Sequence, residues 1–298
     1  MHQYRSCATG LLIALAASGL SAAASADAGS SAAVVPEQPP QQTPEGTYYM
    51  PPSISPEARA FYDKMLPIVL KDQAARPVAR TAADFEARHD ALLVGIDARN
   101  AAMLKQLNVS AKDLEMAGVG VVDLRPAQYQ DDGTILIHVH GGAFVQDSAH
   151  SAERGDALMA LATGKRIISV DYTVAPKGRW QLVTDQVIGV YKALLADGHP
   201  ARSIGLYGDS AGGDIVAGSV LKLRDQGVEI PGALVLMSPA TDLGLGGDTV
   251  VTLRDADPVL NRTEEIRAAF TLYADPADWK NPYVSPVYGD FSKPYPPV

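Results

Sequence analysis

From Gly118 onward the chain alternates short, continuous apolar runs with longer stretches in which apolar residues recur every three or four positions. The runs Val119–Leu124, Thr134–Val139 (TILIHV), Arg166–Val170 (RIISV), Ser203–Tyr207 (SIGLY) and Ala233–Met237 (ALVLM) have the length and composition of strands buried on both faces. Between them Gln181–Leu195 and Gly212–Asp225 carry helical spacing, stopped by Asp197-Gly198 and by Gly227. This alternation predicts βαβ units, hence an α/β fold with a mainly parallel sheet covered by helices. Upstream of Gly118 the periodicity is helical. Ser55 caps a helix that opens at Pro56 and carries Phe61, Tyr62, Met65 and Leu66 on one stripe until Pro67 interrupts it. Thr81 caps a longer helix with Phe85, His89, Leu92, Leu93, Ile96 and Met103 on its buried face. A lone histidine on such a stripe reads as a packing residue rather than a ligand.

The N-terminal end follows different rules. Arg5 precedes a short apolar run, Ala8–Leu20, and small residues with A-x-A spacing follow it. Residues 1–26 therefore read as a secretory signal peptide, with an uncleaved anchor as the alternative; the run is short for a stable membrane span. That reading predicts a periplasmic or secreted protein. Residues 27–52, rich in Ala, Ser, Pro and Gln, read as a linker, and 53–298 as the folded domain. A formal charge of −9 argues against an electrostatic grip on nucleic acid or on an anionic membrane. The sole cysteine, Cys7, precedes the apolar run, so a cleaved chain has no disulfide, no thiolate nucleophile and no cysteine metal ligand.

The chemistry concentrates in LYGDSAGGD, Leu206–Asp214. A G-x-S-x-G run between a strand and an amphipathic helix is a nucleophile elbow, a tight turn that lifts Ser210 to the N-terminus of the helix. GDSAGG differs by Ala211 from the GDSGG of chymotrypsin-like proteases, which are antiparallel barrels, so the strand–helix alternation excludes that reading. His140-Gly141-Gly142 closes the strand TILIHV. Acyl transfer needs donors aimed at an oxyanion, and glycine lets backbone N–H groups approach closely. Gly141, Gly142 and Ala211 are therefore the oxyanion-hole candidates. Asp209, Asp214, Asp242 and Asp257 have no histidine or cysteine partners at metal-site spacing, so no metal is expected.

HVHGGAF, VDYTVAP (Val170–Pro176), YGDSAGG, LMSPATDL (Leu236–Leu243) and NPYVSPVYGDF (Asn281–Phe291) together resemble the successive signatures of the bacterial hormone-sensitive-lipase family of α/β-hydrolase esterases. The resemblance runs from about Ser53 to Val298. It implies an α/β-hydrolase fold with residues 53–117 as helical cap and 118–298 as catalytic core. It also implies cofactor-free hydrolysis of short- to medium-chain carboxylic esters, with Ser210 as nucleophile and Gly141, Gly142 and Ala211 as oxyanion hole. Thr173, Val174 and Lys177 depart from the family's usual D-Y-R-L-A-P-E, which affects the pocket wall rather than the chemistry.

A serine nucleophile needs a histidine base and a carboxylate to orient it, in the chain order Ser, Asp or Glu, His. The six histidines, His2, His89, His138, His140, His150 and His199, all precede Ser210. No triad Asp and His is therefore assigned in this chain, and the expectation is a C-terminally truncated core that lacks its last strands. The alternative function is a non-catalytic relic or an ester-binding protein. A small-molecule ester is the expected partner on either reading.

Overall fold

The computed structural model describes residues 41–43, 46–48, 53–253 and 257–298. Residues 1–26, read as a signal peptide, lie outside the described residues, as does most of the 27–52 linker. Within that linker, strands β1 (Gln41–Thr43) and β2 (Gly46–Tyr48) pair antiparallel. The chain divides into two compact units, one of residues up to 78 together with 247–263, the other of residues 79–246 together with 264–298.

The first unit contains helix α1 (Pro56–Ala75) and the short helix α7 (Thr249–Thr252). The Ser55 side chain accepts from the Ala58 N–H, as expected of its cap position. The expected interruption at Pro67 does not occur, and α1 continues to Ala75. Pro67 and Asp63, whose carbonyl loses its donor, both lie on the exposed side of the helix, where water can replace the missing bond. Gln73 donates from its side chain to the Val259 carbonyl at 3.0 Å, and Arg262 donates to the carbonyls of Gln73 and Arg76.

The second unit is built on a six-stranded sheet. Its strands are β3 (Val109–Met116), β4 (Val119–Pro126), β5 (Ile135–Val139), β6 (Arg166–Val170), β7 (Ile204–Asp209) and β8 (Ala233–Met237). They lie in the order β3-β4-β6-β5-β7-β8. The last four run parallel, and β4 is antiparallel to both of its neighbours. Helices α2 (Ala82–Leu93), α3 (Ile96–Leu107), α4 (Ala149–Thr163), α5 (Trp180–Ala196), α6 (Ala211–Asp225) and α8 (Thr263–Tyr273) complete it.

Strand alternation divides the core between two faces. Val121, Ile168 and Leu206 pack with Val187 and Leu194 of α5 and Ile215 and Val220 of α6. Val122, Ile167 and Tyr207 face the other way, onto Ala149, Ala157 and Ala160 of α4, with Met103, Leu104 and Leu107 of α3 alongside. Strands β5, β6 and β7 are thus covered on both sides, as their continuous apolar runs require, whereas β8 at the edge of the sheet leaves Ala233, Val235 and Met237 exposed.

Two elements differ from expectation. The single helix after Thr81 is two, because Gly95 at φ +66° breaks it between Leu93 and Ile96. Strand β3 pairs with β4 through a two-residue turn, Ala117-Gly118, with positive φ at both positions.

At one corner of the sheet the buried Asp123 accepts from Arg166 at 3.0 and 3.1 Å and from Arg125 at 2.9 Å. Burial works against its charge, but the two guanidinium groups hold its carboxyl below the usual range. A carboxyl lowered in the folded state contributes stability that is present above its unfolded pKa and lost as pH falls through the folded value. Urea midpoints should therefore fall once the pH drops below about 4, and Asp123→Asn should flatten that acid limb.

Candidate active site around Ser210

Strand β7 ends at Asp209, helix α6 begins at Ala211, and Ser210 between them adopts φ 51°, ψ −118°. A non-glycine residue in that region is strained and persists only where its surroundings impose it. They do so here. The Ser210 N–H donates to the Met237 carbonyl at 2.9 Å, and its own carbonyl accepts from Ala240 at 3.0 Å. The flanking glycines are required sterically. A Cβ at Gly208 would lie 2.5 Å from the Gly212 backbone, and one at Gly212 would lie 1.9 Å from the Val139 carbonyl oxygen. Strand β5, the elbow and α6 pass this closely only because neither position carries a side chain.

The loop after β5 approaches the elbow from the other side. Gly142 has φ +97°, and Ala143 and Phe144 are also left-handed at 53° and 68°. Val145 and Gln146 both donate back to the Gly142 carbonyl at 3.1 Å. Phe144 anchors the loop: it is fully buried and stacks on Tyr273 at 4.0 Å. Tyr172, from the VDYTVAP segment, stacks on His140 at 4.1 Å and donates its hydroxyl to the carbonyls of His140 and Gly141, each at 3.1 Å. Among the described residues the N–H groups of Gly141, Gly142 and Ala211 have no acceptor. The loop that carries two of these donors is therefore held by its carbonyls. That role of Tyr172 has no signal in the sequence beyond its place in the motif.

The carboxylates flanking Ser210 differ in state. Burial would raise the Asp209 carboxyl, but the His138 ring beside it holds it below its ordinary value. Asp214 is fully buried with no hydrogen-bond partner among the described residues, and burial pushes its carboxyl well above the usual range. The two shifts therefore run in opposite directions, the ion pair favouring the charged form of Asp209 and burial the neutral form of Asp214.

No histidine among the described residues bonds to the half-buried Ser210 hydroxyl. Each upstream histidine has another place. His138 lies between Asp156 and Asp209. His140 bonds through Nδ1 to the Gly141 carbonyl, and burial lowers its pKa. His150 pairs with Glu153 at 2.7 Å, and that bond raises its pKa to about 9, so at neutral pH it has no free electron pair to accept a proton. His199 lies before the start of β7, at the end of that strand away from Ser210. His89 is on α2, at a cavity of about 250 Å³ lined also by Glu86, Asp147, Asp171, Tyr172 and Lys177. Ser210 is not among the residues lining that cavity. No group of three or more metal-ligating side chains exists among the described residues, and no described helix is long and apolar enough to cross a membrane.

A mostly parallel sheet with a serine on a strand-to-helix elbow defines the α/β-hydrolase fold. Residues 136–298 match the family described by that fold. An acetyl-hydrolase of Streptomyces hygroscopicus is 30% identical over 169 residues, covering 57% of this chain and 56% of that protein. The crystal structure of an esterase, E25, is similar with a TM-score of 0.73 at 30% identity, covering 88% of this chain and 78% of that one. An esterase of the bacterial hormone-sensitive-lipase family gives a TM-score of 0.64 at 26% identity, covering 79% and 74%. The chain belongs to the α/β-hydrolase family, beside the bacterial hormone-sensitive-lipase esterases. It spans somewhat more than half the length of the curated relatives it matches.

Proposed function

We propose that the chain carries the nucleophile and oxyanion hole of a carboxylic-ester hydrolase. One observation carries the reading: Ser210 sits strained at the start of α6 while the N–H groups of Ala211, Gly141 and Gly142 have no acceptor among the described residues. The Ser210 oxygen attacks the ester carbonyl carbon and its proton passes to a base. The carbonyl oxygen becomes an oxyanion held by the three N–H groups. Collapse expels the alcohol, which takes up a proton, and water then releases the acid from acyl-Ser210. Short- to medium-chain acyl esters are the substrates of this reading, the short end agreeing with the name of the acetyl-hydrolase relative. Export to the periplasm or beyond is part of the proposal and rests on residues 1–26 alone.

The reading assigns no base and no orienting carboxylate among the described residues. A second reading, an ester-binding protein without turnover, is favoured by the lack of any histidine bonded to Ser210 among the described residues. Pre-steady-state release of nitrophenolate from p-nitrophenyl acetate separates the two. With no base assigned, the esterase reading expects slow, stoichiometric release from the 298-residue chain that scales with enzyme concentration, and none above background from Ser210→Ala. A folded wild-type chain with no release above the Ser210→Ala background supports the ester-binding reading.

A further inference from the structure

Beside the elbow, the imidazole of His138 lies between two carboxylates. Its Nδ1 is 2.7 Å from Asp156 Oδ1 on α4, and its Nε2 is 3.4 Å from Asp209 Oδ1, the residue before Ser210. The register of the sheet places His138 opposite Ser169 on β6 and Tyr207 on β7, so all three side chains share the face that α4 covers. The Tyr207 ring stacks on the imidazole at 4.4 Å, and its hydroxyl donates to Asp156 Oδ1 at 2.6 Å. Ser169 Oγ lies 3.5 Å from Nδ1, and the charge on His138 disfavours a second charge on His140, two residues on and just past the end of β5. Both His138 and Asp156 are almost completely buried.

A neutral imidazole donates from one nitrogen only, whereas an imidazolium donates from both. With a carboxylate oxygen at each nitrogen, the charged ring satisfies the arrangement and the neutral ring does not. The Asp209 carboxylate in turn packs against the oxyanion loop, since a Cβ on Gly141 would lie 2.4 Å from Asp209 Oδ2. A lone anion there would oppose the negative charge that develops on the substrate oxygen.

We infer that His138 is a positioning residue of the elbow: as an imidazolium anchored by Asp156, it fixes the Asp209 carboxylate against Gly141 and offsets its charge beside the oxyanion donors. The functional half of this inference rests on the esterase reading above; the state of the ring does not. Burial disfavours the charged ring, but Asp156 and Asp209 outweigh it and raise its pKa to about 9. A histidine raised in the folded state contributes stability that is fully present below its unfolded pKa of about 6.5 and lost as pH rises through the folded value.

The test is a nitrogen-15 titration of the histidine rings in the full 298-residue chain, with His138 assigned by its absence from the His138→Gln spectrum. The ring is expected to keep both nitrogens protonated at about pH 8, and Asp156→Asn, which leaves the imidazole in place, should lower its midpoint by about one unit or more. A His138 ring that is neutral at that pH overturns the inference. In the same proteins, His138→Gln should slow acylation of Ser210 by p-nitrophenyl acetate roughly ten-fold or more with little change in KM. Asp156→Asn should shift the alkaline limb of the acylation rate to lower pH. Wild-type rates and an unmoved pH profile in both variants overturn the positioning role. A wild-type chain with no acylation counts against the esterase reading, and the ring titration then decides the state of His138 alone.

Discussion

Ser210→Ala is expected to abolish covalent acylation by an activated ester while leaving the melting temperature nearly unchanged. The two halves of this expectation have separate causes. The Ser210 hydroxyl has no hydrogen-bond partner among the described residues, so its removal breaks nothing in the fold. The backbone strain at φ 51° is imposed by the Met237 and Ala240 bonds and is the same for alanine as for serine. The chemistry, by contrast, has no substitute nucleophile: the sole cysteine is Cys7. Progress curves with p-nitrophenyl acetate and a thermal melt on the same preparation check both halves. A variant as fast as the parent would remove Ser210 from the mechanism.

The second large effect is on stability. Gly212→Ala places a Cβ 1.9 Å from the Val139 carbonyl oxygen and 2.6 Å from that of His140. Both are backbone atoms, on or next to a central strand, with no side chain that can swing aside. Helix α6 has to move off the sheet, at a cost of about 3 kcal/mol or more, since overpacking a tight core forces backbone shifts. The same shift moves the Ala211 N–H relative to Gly141 and Gly142, so residual activity should fall as well. Gly155, in the middle of α4, has open space where its Cβ would be. Gly155→Ala should instead gain about 0.5–1 kcal/mol, because alanine loses less chain entropy in a helix. Urea melts of the two variants against the parent test the contrast. Equal stability of all three would mean that the elbow is looser than its contacts indicate.

The parallel core was legible because its central strands are covered on both faces and read as continuous apolar runs, and the edge strand β8 carries the same kind of run although Ala233, Val235 and Met237 are exposed. Arg166–Val170 and Ala233–Met237 have the bounds expected of them, and α6 begins one residue earlier than its spacing suggested. The elements that escaped the pattern are those in which burial does not impose it. Strand β3 (VSAKDLEM) is an edge strand with exposed residues along most of its length, so it carries no alternation. Helix α4 buries small alanines and the polar Glu153 and Asp156 rather than a large apolar stripe, and its capping box of Ser148 and Ser151 is its main local sign.

The same reasoning applies to the site. The glycines of the elbow announce themselves because a close approach permits no other residue. The partners that hold the site in place do not. His138, Asp156 and Tyr207 come from three separate elements, and only the register of β5 with β7 and the covering of that face by α4 bring them together. In the sequence His138 is a residue of the strand before the HGG motif and Asp156 lies in a stretch without a large apolar stripe, so neither points to the other. Their meeting is a property of the topology, which local spacing does not encode.

Peptide mass mapping after reaction with an activated phosphonate ester addresses the central claim directly, because the phosphoryl group stays on the nucleophile. The account predicts a single adduct on the peptide that carries Ser210, absent from Ser210→Ala. An adduct on another residue, with the Ser210 peptide unmodified, would contradict it.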